Sequence, residues 1–315
     1  MSRKIIVSTY LLLFFGCCGC NRIDNKDNWM ISSQAVKHVQ RLEKEHPGLS
    51  AAQFKKSTVL PDSTRRFVYL SPSETGIDFQ HTWDLQPKHR DQLRNSFIAS
   101  GVAIGDFDND GLADVFLTRQ TDGGRLYRNL GNFQFEDVTA KVGIDPAGMW
   151  SSGATFADIN NDGWLDLYTC GFDCPNRLYI NKRGKFKEEA SEYGLDFHGA
   201  SVVMSFADYD LDVDLDGYLL TNRLHSSDAI KNVKILRQKK QPLRVHSDSR
   251  ERAYFIKPPY RIQLLVPAGQ FDHLSRNDNG HYVDVSLKSG IDEFPYYGLS
   301  AIWWDYNDDG WPDLY

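Results

Sequence analysis

Cysteine is scarce. There are 5 in 315 residues, and Cys17, Cys18 and Cys20 crowd into the first twenty. That leaves Cys170 and Cys174, which excludes a disulfide-dense scaffold; in an oxidising compartment the two are either a short-loop disulfide or a pair of free thiols. Basic charge is not in excess either: 36 Lys and Arg stand against 42 Asp and Glu, a net charge of −6. That balance argues against nucleic acid as the main partner, because phosphate binding needs a basic footprint. Enzyme signatures are missing too, with no HExxH, GxSxG or GxxxxGK[ST] and no paired CxxC motifs. With 41% hydrophobic and 25% charged residues the chain is nonetheless ordinary globular material, neither disordered nor collagen-like.

The apolar stretch near the N-terminus, Ile5 to Phe15, has eleven residues behind Arg3 and Lys4. A membrane span needs roughly 20, so residues 1–20 read as a secretory signal. The stretch closes on Gly16-Cys17-Cys18-Gly19-Cys20, which resembles a bacterial lipoprotein box; Cys17 is preferred as the acylated residue over Cys20 because it abuts the apolar run. A plain signal peptide is the alternative, and both predict export. Residues 21–62 are polar, with one short helix expected around Val36, Val39 and Leu42 and stopped by Pro47-Gly48. They read as a tether between a membrane anchor and a folded domain over 63–315.

One unit recurs four times in that domain. Gly105-Asp106-Phe107-Asp108-Asn109-Asp110-Gly111-Leu112-Ala113-Asp114 returns as Ala157-Asp158-Ile159-Asn160-Asn161-Asp162-Gly163-Trp164-Leu165-Asp166, then from Asp208 to Asp216, then from Asp305 to Asp313. The intervals are 52, 50 and 97 residues, and removing a basic insertion at about 224–266 brings the last one back to about 54. That insertion reads as a solvated excursion or as a recognition loop. Gly76-Ile77-Asp78, Gly143-Ile144-Asp145, Gly194-Leu195-Asp196 and Gly290-Ile291-Asp292 precede the copies. Leu126-Tyr127-Arg128-Asn129 and Leu178-Tyr179-Ile180-Asn181 follow the first two, and His273 to Asn277 is a third version. Short runs separated by Gly, Asn and Asp predict an all-β fold of several strands per unit.

The acidic spacing predicts a divalent-cation loop. Oxygen-bearing side chains stand at positions 1, 3, 5 and 9: Asp106, Asp108, Asp110 and Asp114; Asp158, Asn160, Asp162 and Asp166; Asp208, Asp210, Asp212 and Asp216; Asp305, Asn307, Asp309 and Asp313. Position 7, which is Leu112, Trp164, Asp214 or Trp311, is expected to offer its carbonyl. Ca²⁺ takes six to eight oxygens at about 2.3–2.6 Å in an adaptable shell, which such a loop supplies. Nothing basic sits within the loops to neutralise them, so bare acidic turns would repel one another. An EF-hand is excluded because position 12 is Leu117 or Thr169 where a Glu is required, and because Val102-Ala103-Ile104 and Val115-Phe116-Leu117 suit strands. The start Asp106-Phe107-Asp108 is like a phosphatase aspartyl motif, but a nucleophile is needed once and this pattern recurs. The third loop has Val213 where the others have Gly, so it either binds metal with a strained turn or does not bind it. Positions 1, 3, 5 and 9 of these loops hold fourteen of the 42 acids, so the acidic excess is largely ligand chemistry.

These residues together resemble the FG-GAP/VCBS repeat family, and Gly101 to Gly111 with Gly76-Ile77-Asp78-Phe79 and Leu126-Tyr127-Arg128-Asn129 resembles its ASPIC/UnbV subgroup. The resemblance covers roughly residues 66–315; the basic insertion, Val213 and the absence of a literal Phe-Gly-Gly-Ala-Pro string depart from it. It implies a β-propeller of blades with calcium loops, used outside the cell for binding. The chain reaches Tyr315 just past the fourth loop, where earlier copies continue into a strand, so an incomplete propeller is expected. The functional expectation is a non-enzymatic, calcium-binding propeller in the cell envelope, lipid-anchored to its membrane, that binds a protein or glycan. The alternative is an enzyme or accessory module acting on envelope polysaccharide.

Overall fold

A computed structural model describes residues 68–82, 100–223, 233–236, 244–245, 253–256, 264–267, 269–291 and 298–315. The chain divides into Met1–Val68 and Tyr69–Tyr315. The signal segment, Cys17, Cys20 and the tether helix lie outside the described residues.

The second unit is built from antiparallel sheets of one design. In the first, β1 (Val102–Gly105), β2 (Asp114–Thr118), β3 (Gly124–Asn129) and β4 (Phe135–Asp137) pair in sequence order. The second repeats this with β5 (Ser151–Ala157), β6 (Asp166–Pro175), β7 (Arg177–Asn181) and β8 (Phe186–Glu188). The third uses β9 (His198–Ala207) and β10 (Asp216–Thr221), then β15 (His273–Asn277) and β16 (Tyr282–Asp284). A fourth begins with the hairpin of β17 (Trp303–Trp304) and β18 (Asp313–Leu314). The basic segment thus lies between the second and third strands of the third sheet. It contains two hairpins, β11 (Ile235–Leu236) with β12 (Arg244–Val245) and β13 (Ala253–Ile256) with β14 (Leu264–Pro267). The second and third units are joined through pairing of β6 with β9 into one eight-stranded sheet, and the succession of such units, each with an acidic loop between its first two strands, makes this an incomplete β-propeller.

Burial follows from stacking blades face to face. β2 alternates buried and half-buried residues, whereas β10 is buried throughout because it is covered on both faces. Phe116 and Leu126 of the first blade meet Leu167 and Tyr179 of the second in one apolar cluster. Tyr168 and Leu178 meet Met204 and Leu219 in the next, and Tyr218 and Leu274 meet Trp303 and Leu314 in a third. On the outer face of β1, Val102 and Ile104 remain 54% and 66% exposed.

The Gly-Ile/Leu-Asp triplets join the blades. Gly143 has φ +92° and sits so close to the second blade's outer strand that a Cβ there would lie 2.6 Å from the Phe186 carbonyl oxygen. Gly76 stands in the same relation to Phe135, and Gly194 to Tyr282. Tyrosines of the third strands hold the same triplets: the Tyr127 hydroxyl donates to Asp78 at 3.2 Å and the Tyr179 hydroxyl to the Asp145 carbonyl at 2.7 Å. A helical turn leads into three of the four triplets, at α1 (Pro72–Thr75), α2 (Ala190–Tyr193) and α3 (Ser286–Ser289), while a non-helical turn precedes Gly143.

Candidate metal centre

Each acidic loop folds on the same hydrogen bonds, and each is made by a residue type that recurs. The position-1 carboxylate accepts from the backbone N–H of positions 5 and 6. In the first loop these bonds run from Asp110 and Gly111 to Asp106 at 3.1 and 2.8 Å. They recur at Asp158, Asp208 and Asp305 with lengths of 2.8–3.1 Å. The position-5 carboxylate accepts from the N–H of position 7, at 2.9 Å to Leu112, Trp164, Asp214 and Trp311 alike. Short side chains that bond their own backbone two residues on are what make such a turn. Position 6 has positive φ in all four: +88° at Gly111, +85° at Gly163, +84° at Val213 and +90° at Gly310. The strained turn at Val213 is therefore present.

Position 9 begins the second strand of the blade and is buried in the first three loops. Asp114, Asp166 and Asp216 are wholly inaccessible, and each accepts from the N–H of position 2 (Phe107, Ile159, Tyr209) and of a third-strand Asn (Asn129, Asn181, Asn277), at 2.7–3.1 Å. Burial pushes their pKa values up to about 6, 7 and 6, against the opposing pull of those N–H donors, and neighbouring loop carboxylates push the same way. The fourth copy, Asp313, accepts from Tyr306 at 3.1 Å.

Two loops bring three carboxylates together: Asp106, Asp108 and Asp114 in the first, Asp208, Asp210 and Asp216 in the third. In both, the position-3 carboxylate has a buried oxygen without a hydrogen-bond partner, Asp108 Oδ1 and Asp210 Oδ1. A buried anionic oxygen facing other carboxylates is costly unless a cation meets it, so these residues fit a hard divalent ion. In the second and fourth loops position 3 is an amide, and the Asn160 and Asn307 oxygens accept from the N–H of Asp162 and Asp309 at 3.0 and 2.9 Å.

No basic residue sits within the loops, but one from outside reaches the first of them. Arg128, on β3, lies 2.6 Å from Asp108 and donates to Asp110 at 2.9 Å. Ile180 holds the same place in the second blade, and in the third Arg276 is turned aside by a two-pronged pair with Asp278. Adjacent loops are also tied together by position 4, which sequence reasoning left unassigned. Asn109 Nδ2 donates to the Gly163 carbonyl at 3.1 Å, and Asn161 Nδ2 to the Val213 carbonyl and to Asp214 at 3.2 and 3.1 Å. The signal was present as an Asn repeated four residues into two copies. Of the two alternatives for Cys170 and Cys174, the structure shows two free thiols, with Cys170 buried on β6 and its thiol pushed up by burial.

Residues 106–169 and 158–219, which hold the first three loops, match the FG-GAP-like repeat. The chain is also similar to cartilage acidic protein 1: 29% identical over 144 residues to the mouse protein and 27% over 143 residues to the human one. These stretches are 44% of this chain and 22% and 21% of the relatives. The Xenopus tropicalis protein is 28% identical over 121 residues, 37% of this chain and 18% of that one. The chain thus spans about a fifth of the curated relatives it matches, and the similarity supports the expected ASPIC/UnbV subgroup. Among the described residues, no helix is long and apolar enough to cross a membrane.

Proposed function

We propose that the chain is a non-catalytic, calcium-dependent binding propeller of the cell envelope. The observation that carries this reading is the pair of buried, unpartnered oxygens on Asp108 and Asp210, each set among carboxylates at the mouth of a blade. Asp106, Asp108, Asp110 and Asp114 with the Leu112 carbonyl would hold the first ion, and Asp208, Asp210, Asp212 and Asp216 with the Asp214 carbonyl the third. Asp158, Asn160, Asp162 and Asp166 with Trp164, and Asp305, Asn307, Asp309 and Asp313 with Trp311, would hold the second and fourth. A bound calcium ion supplies two positive charges that tie mutually repelling carboxylates into one rigid loop. The residues themselves do the positioning: position 9 is anchored in the sheet, and position 1 is clamped by two N–H groups. Recurrence of the loop in every blade supports an architectural ion, with recognition left to the surfaces around it. FG-GAP-like repeats and similarity to cartilage acidic protein 1 point the same way, and the signal-like N-terminus supports export with a lipid anchor at Cys17 or Cys20.

A thermal melt tests the metal claim. Calcium is expected to raise the midpoint by several degrees over the chelator-treated protein. An unchanged midpoint would sink the reading.

A further inference from the structure

The second blade differs from its neighbours beside its acidic loop. Asp162, Trp164, Lys182 and Arg183 line a surface cavity of about 300 Å³ there, open to solvent, in which Trp164 is half-buried and the other three are exposed. Two of them are loop positions 5 and 7, and the other two form the turn between β7 and β8. The third blade has a turn of the same length, closed by the same bond from the N–H of its first residue (Lys182 to the Lys185 carbonyl, Asp278 to the His281 carbonyl). It carries Asp278 and Asn279 where this one carries Lys182 and Arg183. Both Asn279 and Arg183 have φ +56°. Asn tolerates that left-handed conformation, whereas Arg gains nothing from it. A residue that breaks a local turn preference without a local return marks a position kept for another purpose. Arg183 also has no ion-pair partner among the described residues, while Lys182 lies 3.6 Å from Glu189.

The lining combines a planar guanidinium, an ammonium and an indole with one carboxylate. A guanidinium grips a carboxylate through two parallel hydrogen bonds, and an indole offers an apolar platform to the face of a ring. The volume lies at the small end of ligand sites, which run to about 1,000 Å³, and suits a single ring with its substituents. We propose that this cavity binds an acidic sugar residue of a polysaccharide, its ring against Trp164 and its carboxylate on Arg183 and Lys182. The proposal rests on the binding-propeller reading above and names its ligand class. Asp162 makes the binding calcium-dependent, because an uncompensated carboxylate in the lining repels the sugar's own.

Titration of the full chain with an oligogalacturonate, followed by tryptophan fluorescence and calorimetry, tests this. A neutral cello-oligosaccharide of equal length and free acetate serve as comparators. Binding of the acidic oligosaccharide alone is expected, in calcium and not in chelator. Arg183→Asn, which installs the third blade's residue and keeps the turn, is expected to weaken it by ten-fold or more. Trp164→Leu, which installs the first blade's residue, is expected to weaken it and remove the fluorescence change. Equal binding of the neutral oligosaccharide, full binding by Arg183→Asn, or no binding at all overturns the proposal. Melting midpoints taken on the same samples separate the two readings. Calcium stabilisation without saccharide binding removes only the ligand, and loss of calcium stabilisation removes the metal-dependent reading itself.

Discussion

The Arg128 guanidinium lies 2.6 Å from the Asp108 carboxylate and reaches Asp110 as well, so the first acidic loop carries a counter-cation from its own blade. The second has Ile180 at that place. The first loop is therefore expected to be the less avid of comparable sites, because an incoming ion must share two carboxylates with an arginine already on them. Arg128→Ile should tighten first-loop calcium binding about 3- to 5-fold, the modest worth of a half-exposed ion pair. It should also lower the midpoint of the chelator-treated protein and leave the calcium-loaded midpoint nearly unchanged. Calorimetric titration reads the affinity, and in an Asp106→Asn background the tightening should vanish.

Val213 holds φ +84° where the other loops place glycine. A β-branched residue in that region costs about 1–3 kcal/mol. Val213→Gly is accordingly expected to stabilise the protein by about 1–2 kcal/mol, read from denaturant midpoints at unchanged slope. The reverse change, Gly111→Val, should cost a similar amount, since a Cβ at Gly111 meets no atom within 4 Å and only the backbone conformation is penalised.

Asn161 ties the second loop to the third through the Val213 carbonyl and Asp214. Asn161→Ala should cost about 0.5–1.5 kcal/mol, with its main effect outside its own loop. Hydrogen exchange at the third-loop amides is expected to quicken while that of β5 and β6 stays as it was. Leu211, at the same place in the third loop, has no amide to extend the chain of contacts.

The acidic loops were legible in the sequence because every position has a backbone task. Position 1 must accept two N–H groups, position 5 one, position 6 must take positive φ, and position 9 must sit buried at the head of a strand. Requirements so local leave a fixed spacing, and the spacing led to the blades. The Gly-Ile/Leu-Asp triplets were visible as repeats, yet their partners Phe135, Phe186 and Tyr282 lie far downstream, in the last strand of the blade that follows, and spacing alone does not name them. Arg128 escaped for a different reason. Its equivalents Ile180 and Arg276 do not share its bonds, and Arg276 is captured by Asp278 where the other blades have Leu130 and Lys182. A contact that does not repeat leaves no periodic signal.

The blade joint at Gly143 separates steric from conformational cost. Its φ of +92° is unfavourable for any other residue, and a Cβ would also meet the Phe186 carbonyl at 2.6 Å, which is backbone and pinned by its own N–H bond to the Val142 carbonyl at 2.7 Å. Gly163 has a similar φ of +85° with open space around it. Gly143→Ala is therefore expected to cost more than Gly163→Ala, by about 2 kcal/mol beyond a shared conformational term of about 1 kcal/mol. Equilibrium unfolding of the two variants gives the difference directly. The extra loss should appear as loosened packing between the first and second blades, with faster exchange at Val142 and Phe186 in Gly143→Ala only. Equal losses in the two variants would mean that the close approach is relieved by a shift of the linker and does not hold the blades in place.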